Sequence, residues 1–190
     1  MEKQNSLYLL YADLLEYPAQ KLKPHLVECA EVLSGVSPSA GNMLLGFQNW
    51  VDKETLAKVE ETYTSTFDLQ GICCPYVGHH LFGDNYQRSW FMARLNEGYR
   101  ERGFSYKEEL PDHITVILRF LACGCEDEFS QVLRDEGLFP SVGKMVRTFG
   151  EDGSRPYGQM LRSLSQWLQD EDVTGNESLS KSEMGGLANA

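Results

Sequence analysis

Apolar residues return every three to four positions along most of the chain. Leu7, Leu10, Tyr11 and Leu14 form one such series, Leu22, Leu26, Cys29 and Leu33 a second, and Met43, Leu44, Phe47, Trp50 and Val51 a third. That spacing puts the apolar side chains on one face of an α-helix, and the period-two alternation of a half-buried strand is nowhere sustained. The pattern predicts an all-α fold. Local breakers divide it: Tyr17-Pro18 closes the first helix, Gly35 to Pro38 the second, and Asp52 is placed to cap a helix from about Lys53 to Phe67.

From Asp68 to Asp84 the stretch DLQGICCPYVGHHLFGD loses the pattern and gathers Gly71, Pro75, Gly78 and Gly83. Irregular connections of this length are uncommon in compact domains, so a functional role is expected of it. A helix over about Asn85 to Arg102 then stops at Gly103. The next is expected to open at Pro111, whose missing N–H is no loss in a first turn, with Asp112 near the positive helix end and Ile114, Ile117, Leu118 and Leu121 buried. Helices over about Asp127 to Glu136, Pro140 to Phe149 and Pro156 to Gln169 complete the series. About eight helices, each too short to be stable alone, must bury their stripes against one another in a single-domain bundle spanning residues 1–170. Residues 171–190 have hardly any large apolar side chain, and from Asp170 onward five acids stand against one Lys, so a disordered acidic tail is expected there.

Composition narrows the function. With 42% hydrophobic residues in 190, the chain can build a core without disulfide or metal support. The formal charge of −11, from 28 acids against 17 Lys and Arg, argues against nucleic acid as a partner and for a basic one. No stretch approaches the roughly 20 apolar residues of a membrane span, and the acid-bearing N-terminus does not read as a signal peptide. Five cysteines, an odd number, do not make a secreted disulfide framework; a reducing cytoplasm is expected.

Chemistry is sparse. There is no Gly-rich phosphate loop, no G-x-S-x-G elbow and no H-E-x-x-H helix. Asp112 and His113 are adjacent, and neighbours on a helix point about 100° apart, so they do not by themselves form an acid-base dyad. An enzyme is not expected. Cys73, Cys74, His79, His80, Cys123 and Cys125 include soft metal ligands, but neither cysteine pair has the C-x2-C form of a structural zinc site. A metal or cofactor carrier using the Cys73/Cys74/His79/His80 loop is the alternative reading, and free thiols without bound metal are the expectation. On the helix from Asn85, Trp90 and Phe91 are candidates either for the core or for lining a groove that accepts a partner's helix.

Three stretches in order carry a resemblance: ETYTSTFDL (61–69), HHLFGDNYQRSWFMARLNEGYRERGF (79–104) and EELPDHITVILRFLA (108–122). They resemble the TorD/NarJ/DmsD family of molybdoenzyme assembly chaperones, and within it most closely the nitrate-reductase branch. The matching positions are Glu61, Tyr63 and Phe67, then His80 and Gly83, Arg88, Leu95 and Tyr99, then Glu109 to His113; Ser89 departs from the Gly of that branch. The resemblance implies an all-helical chaperone, monomeric or weakly dimeric and not inserted in a membrane. It would bind the basic N-terminal leader of a molybdoenzyme catalytic subunit, and assist insertion of the molybdopterin guanine dinucleotide cofactor that the client, not the chaperone, carries. The peptide-binding residues it implies are Asp112, His113, Glu109, Pro111, His80, Gly83, Arg88 and Tyr99. Asp112 and His113 are expected outside the core, at the exposed start of their helix, as a polar grip.

Overall fold

The computed structural model describes residues 2–68, 71–150 and 155–185, with side chains placed over 5–68, 71–150 and 155–171. Among these residues there is no strand, only an isolated antiparallel bridge between Tyr76 and His113. The helices are α1 (Glu2–Leu14), α2 (Leu22–Val36), α3 (Pro38–Lys53), α4 (Leu56–Phe67), α5 (Val77–Phe82), α6 (Tyr86–Glu101), α7 (Ile114–Leu121), α8 (Glu128–Val132), α9 (Phe139–Thr148) and α10 (Pro156–Gly185), with a π-helical turn at Leu133–Leu138 between α8 and α9. The expected all-α bundle is what the chain forms. The apolar stripes meet as the periodicity requires, with Leu7, Tyr11, Leu14, Leu26, Leu33, Leu44 and Phe47 buried in one core.

α10 packs along α3 and α9, and α1 lies against α2 and α7. Trp167 of α10 has Tyr8 edge-on at 4.8 Å and Tyr11 stacked at 5.6 Å between ring centroids. The Tyr11 hydroxyl meets Ser163 Oγ at 2.7 Å, and Ser163 in turn donates to the Ala40 carbonyl, so this polar link among α1, α3 and α10 is satisfied inside the core. The anchoring runs past the expected end at Gln169, because Asp170 accepts from Ser37 and Glu171 accepts from Tyr8. Beyond Glu171 the backbone stays helical to Gly185; the side chains of the expected tail, and all of 186–190, lie outside the described residues.

Several element boundaries differ from expectation. Asp52 lies inside α3, and the cap of α4 is Thr55, whose hydroxyl accepts from Lys58 N–H. The connection after α4 contains a short helix, α5, that its glycines hid. The expected break between two helices near Pro140 is instead a widened π turn joining α8 to α9: Pro140 has no N–H to donate to the carbonyl four residues back, and the backbone absorbs the missing bond without leaving the helix.

The largest difference is at the opening of α7. This helix starts at Ile114, not Pro111, and its N-cap is His113. Pro111 and Asp112 precede it in a turn whose backbone is committed elsewhere: the Asp112 carbonyl accepts from Val77 N–H at 2.8 Å, and Ile114 N–H donates to the Pro75 carbonyl at 2.9 Å. Ile114, Ile117, Leu118 and Leu121 are all buried, as expected.

Candidate functional site

The bridge between Tyr76 and His113 closes one wall of a cleft. Its other walls come from Glu16 and Tyr17 after α1, Tyr63 and Phe67 on α4, Phe104 to Glu109 after α6, and Thr115, Val116 and Arg119 on α7. The volume is about 660 Å³, within the range of small-ligand and peptide-side-chain pockets. Its inner surface is aromatic. The Tyr63 ring meets Tyr17 at 5.5 Å and Phe67 at 5.1 Å, and behind them Tyr157, Phe47 and Trp50 continue the cluster into the core. Its rim is acidic: Glu16, Asp68, Glu108 and Glu109 face Lys107 and Arg119. Arg119 is already engaged, with one guanidinium nitrogen 2.6 Å from both Asp13 and Glu16. Glu108 sits at φ +72, a left-handed conformation that costs a non-glycine residue about 1–2 kcal/mol.

Asp112 is not part of that rim. It is completely buried, contrary to the expectation of an exposed grip, and its carboxylate is held by Arg88 through Nε at 2.8 Å and Nη2 at 3.5 Å. Burial follows from the backbone bonds of the turn, which point the side chain inward beneath α5. Gly78 is what admits it: a Cβ at that position would lie 2.6 Å from Asp112 Oδ2. Arg88 also reaches the exposed Asp84 at 3.0 Å and places its guanidinium carbon 5.0 Å from the centre of the Tyr76 ring. The Arg88–Asp112 pair therefore fixes the aromatic wall of the cleft from behind.

His113 is also buried, at 5% exposure, yet it lines the cleft. Its Nδ1 accepts from the Thr115 N–H at 3.3 Å and lies 2.7 Å from the Thr115 hydroxyl, which leaves the ring proton on Nε2. Burial holds the imidazole neutral, lowering its pKa to about 4 against the opposing charges of Asp112 and Glu16. The unfolded chain binds a proton near pH 6.5 that the folded chain refuses until about pH 4, so this group's contribution to stability is present above pH 6.5 and is lost as the pH falls towards 4. The loss is expected to be roughly 2–4 kcal/mol. Urea melts between pH 7.5 and 4.5 should show His113→Asn with a flatter pH dependence than the wild type; parallel curves would mean His113 is not the group that titrates.

The eight residues implied by the resemblance thus separate into three sets. Glu109 and His113 line the cleft. Pro111, Asp112, Arg88 and Tyr99 form the frame behind it; the Pro111 carbonyl accepts from the buried Tyr99 hydroxyl at 3.1 Å. His80 and Gly83 shape α5 instead: His80 Nε2 bonds the Cys74 carbonyl at 2.7 Å, and Gly83 ends the helix at φ +71. Tyr17, Tyr63, Tyr76, Tyr106 and Arg119, which line the cleft from five separate segments, are not among the eight.

The soft-ligand loop does not converge. Cys73 is buried beside the Met145 carbonyl, His80 turns to the Cys74 carbonyl and His79 to Asp84 at 3.1 Å. Among the described residues no group of three or more His, Cys, Asp or Glu side chains is placed to hold a metal ion. All five cysteines are free. Trp90 is 67% exposed beneath Arg94, and Phe91 is half-buried against Phe82; neither lines the cleft. No described helix is long and apolar enough to cross a membrane.

A solved structure from Archaeoglobus fulgidus, described as that of a candidate redox enzyme maturation protein, shares this fold with a TM-score of 0.59; it is 22% identical, over 89% of this chain and 94% of its own. No curated protein is a significant sequence match. The family profile of the nitrate reductase delta subunit matches residues 34–140, from the end of α2 to the start of α9, and so includes most of the cleft wall and its frame. Because that match takes in more than half of the chain, this protein belongs to the nitrate reductase delta subunit family, whose members are chaperones and not enzymes.

Proposed function

We propose that this protein is a maturation chaperone that holds the N-terminal segment of a molybdoenzyme catalytic subunit, of the nitrate reductase type or a relative, in the cleft beside His113. It keeps that subunit open until the molybdopterin guanine dinucleotide is inserted, and it acts in the cytoplasm, before the subunit meets its membrane partners. The observation that carries the reading is the cleft itself, with an aromatic interior under an acidic rim. Such a surface suits a segment that pairs apolar side chains with Lys or Arg: the rings supply buried area, and the acids supply orientation and association rate. Family membership supports the class of client, and the net charge of −11 supports a basic one.

A synthetic peptide copying the first residues of the catalytic subunit encoded by a neighbouring gene is the direct test. In calorimetric titration it should bind more weakly as salt rises, because the charges at the rim are screened. Glu108→Lys together with Glu109→Lys should weaken binding about tenfold or more, that is by about 1.4 kcal/mol, while leaving the melting curve in place because both side chains are exposed. A peptide whose affinity ignores both the salt and the rim substitutions binds elsewhere.

A further inference from the structure

Cys123 and Cys125 flank Gly124 where the chain leaves α7, and neither lines the cleft. The chain turns sharply there. Cys123 N–H donates to the Phe120 carbonyl and Gly124 N–H to that of Leu121, and Gly124 lies at φ +72. Only glycine suits the position, since a Cβ would also meet Asn5 Nδ2 of α1 at 2.7 Å. Two backbone steps span at most about 7 Å when extended, and a turned chain spans less. Disulfides bridge Cα atoms about 4.4–6.8 Å apart. Cys123 is exposed and Cys125 half-exposed, whereas Cys29 and Cys73 are buried.

We infer that Cys123 and Cys125 form a reversible thiol–disulfide site, closed by exchange with a small-molecule disulfide such as oxidised glutathione. The Cys123 thiolate attacks one sulfur of the small disulfide, breaking its S–S bond and releasing one thiol. Cys125, deprotonated in turn, attacks the Cys123 sulfur of the mixed disulfide and expels the second thiol. Two protein thiols are oxidised to one disulfide, one small disulfide is reduced to two thiols, and the two protons depart on them. Burial raises the Cys123 thiol pKa, with the neighbouring Cys125 adding to it, so thiolate is scarce and exchange is slow. Closure also removes the hydrogen that Cys123 Sγ donates to the Arg119 carbonyl at 3.5 Å. Arg119 is the residue that ties α7 to Asp13 and Glu16 at the cleft.

The test is to expose the full chain to excess oxidised glutathione, then alkylate it unfolded. The tryptic peptide from Phe120 to Arg134 contains both cysteines and no other, so it reports the pair directly. The wild type should lose two of its five alkylatable thiols, with that peptide lighter by two hydrogens and restored by dithiothreitol. Cys125→Ser should instead retain a glutathione adduct on Cys123, and Cys73→Ser with Cys74→Ser should behave as wild type. A glutathione adduct that persists on Cys123 in the wild type, a bond formed between Cys73 and Cys74, or a disulfide linking two chains would overturn the assignment. None of these readouts depends on a client peptide, so the result stands apart from the function proposed for the cleft.

Discussion

Asp112→Ala is expected to lower the thermal midpoint by about 10 °C. Removing one partner of a buried ion pair leaves the other charge without compensation and costs about 3–5 kcal/mol. Here the low end applies, because Arg88 retains 16% side-chain exposure and a second partner in Asp84. In a chain of this size each kcal/mol moves the midpoint by about 2–4 °C. Arg88→Ala should do at least as much harm, since it strands the completely buried carboxylate. The double variant should recover part of the loss, as expected when two residues act through each other. A thermal melt of Asp112→Ala within about 2 °C of wild type would mean that the pair is not structural. If the midpoint falls as expected, a weakening of client binding in Asp112→Ala reads as collapse of the Tyr76 wall, with Glu109 or His113 serving as the probes of direct contact.

Ile117→Ala should cost about 2–5 kcal/mol, the range for truncating a buried Ile to a methyl and leaving a cavity. Ile117 has no exposed surface and sits on α7 in the packing against α1. Ile117→Val should cost only about 1 kcal/mol, and urea melts of the two variants measure the difference. A cost below 1 kcal/mol for the alanine variant would show that the site collapses around the loss. Because α7 also presents Thr115, Val116 and Arg119 to the cleft, Ile117→Ala is the substitution in which stability and client affinity should fall together.

The fold was legible because helical periodicity is a local signal: Leu22, Leu26, Cys29 and Leu33 announce α2 and its buried face without reference to any other segment. The site was legible only in part, for the opposite reason. Tyr17, Tyr63, Tyr76 and Tyr106 become neighbours through tertiary packing, and no spacing along the chain relates them. The resemblance located the E-L-P-D-H turn, but motif residues do not declare which of them face outward. Asp112 after a proline reads as an ordinary charged helix start, and its burial depends on Gly78, 34 positions away, lacking a Cβ. His113 reads as a polar surface residue, and its neutrality depends on a burial that the turn before α7 imposes and an exposed helix start at Pro111 concealed.

The clasp of Trp167 between Tyr8 and Tyr11 has a consequence for the order in which the molecule is made. Contacts separated by about 150 residues or more cannot form until α10 has itself been synthesised, and closing so long a loop is entropically costly. During synthesis, at about 5–20 residues per second, α1 to α9 emerge with the groove for α10 open and its apolar lining uncovered. The core is therefore sealed last, by a helix that reaches it after every cleft residue has left the ribosome. The nascent chaperone is, for several seconds, itself a polypeptide with an unfilled groove, and it becomes able to protect another chain only after α10 has closed that groove.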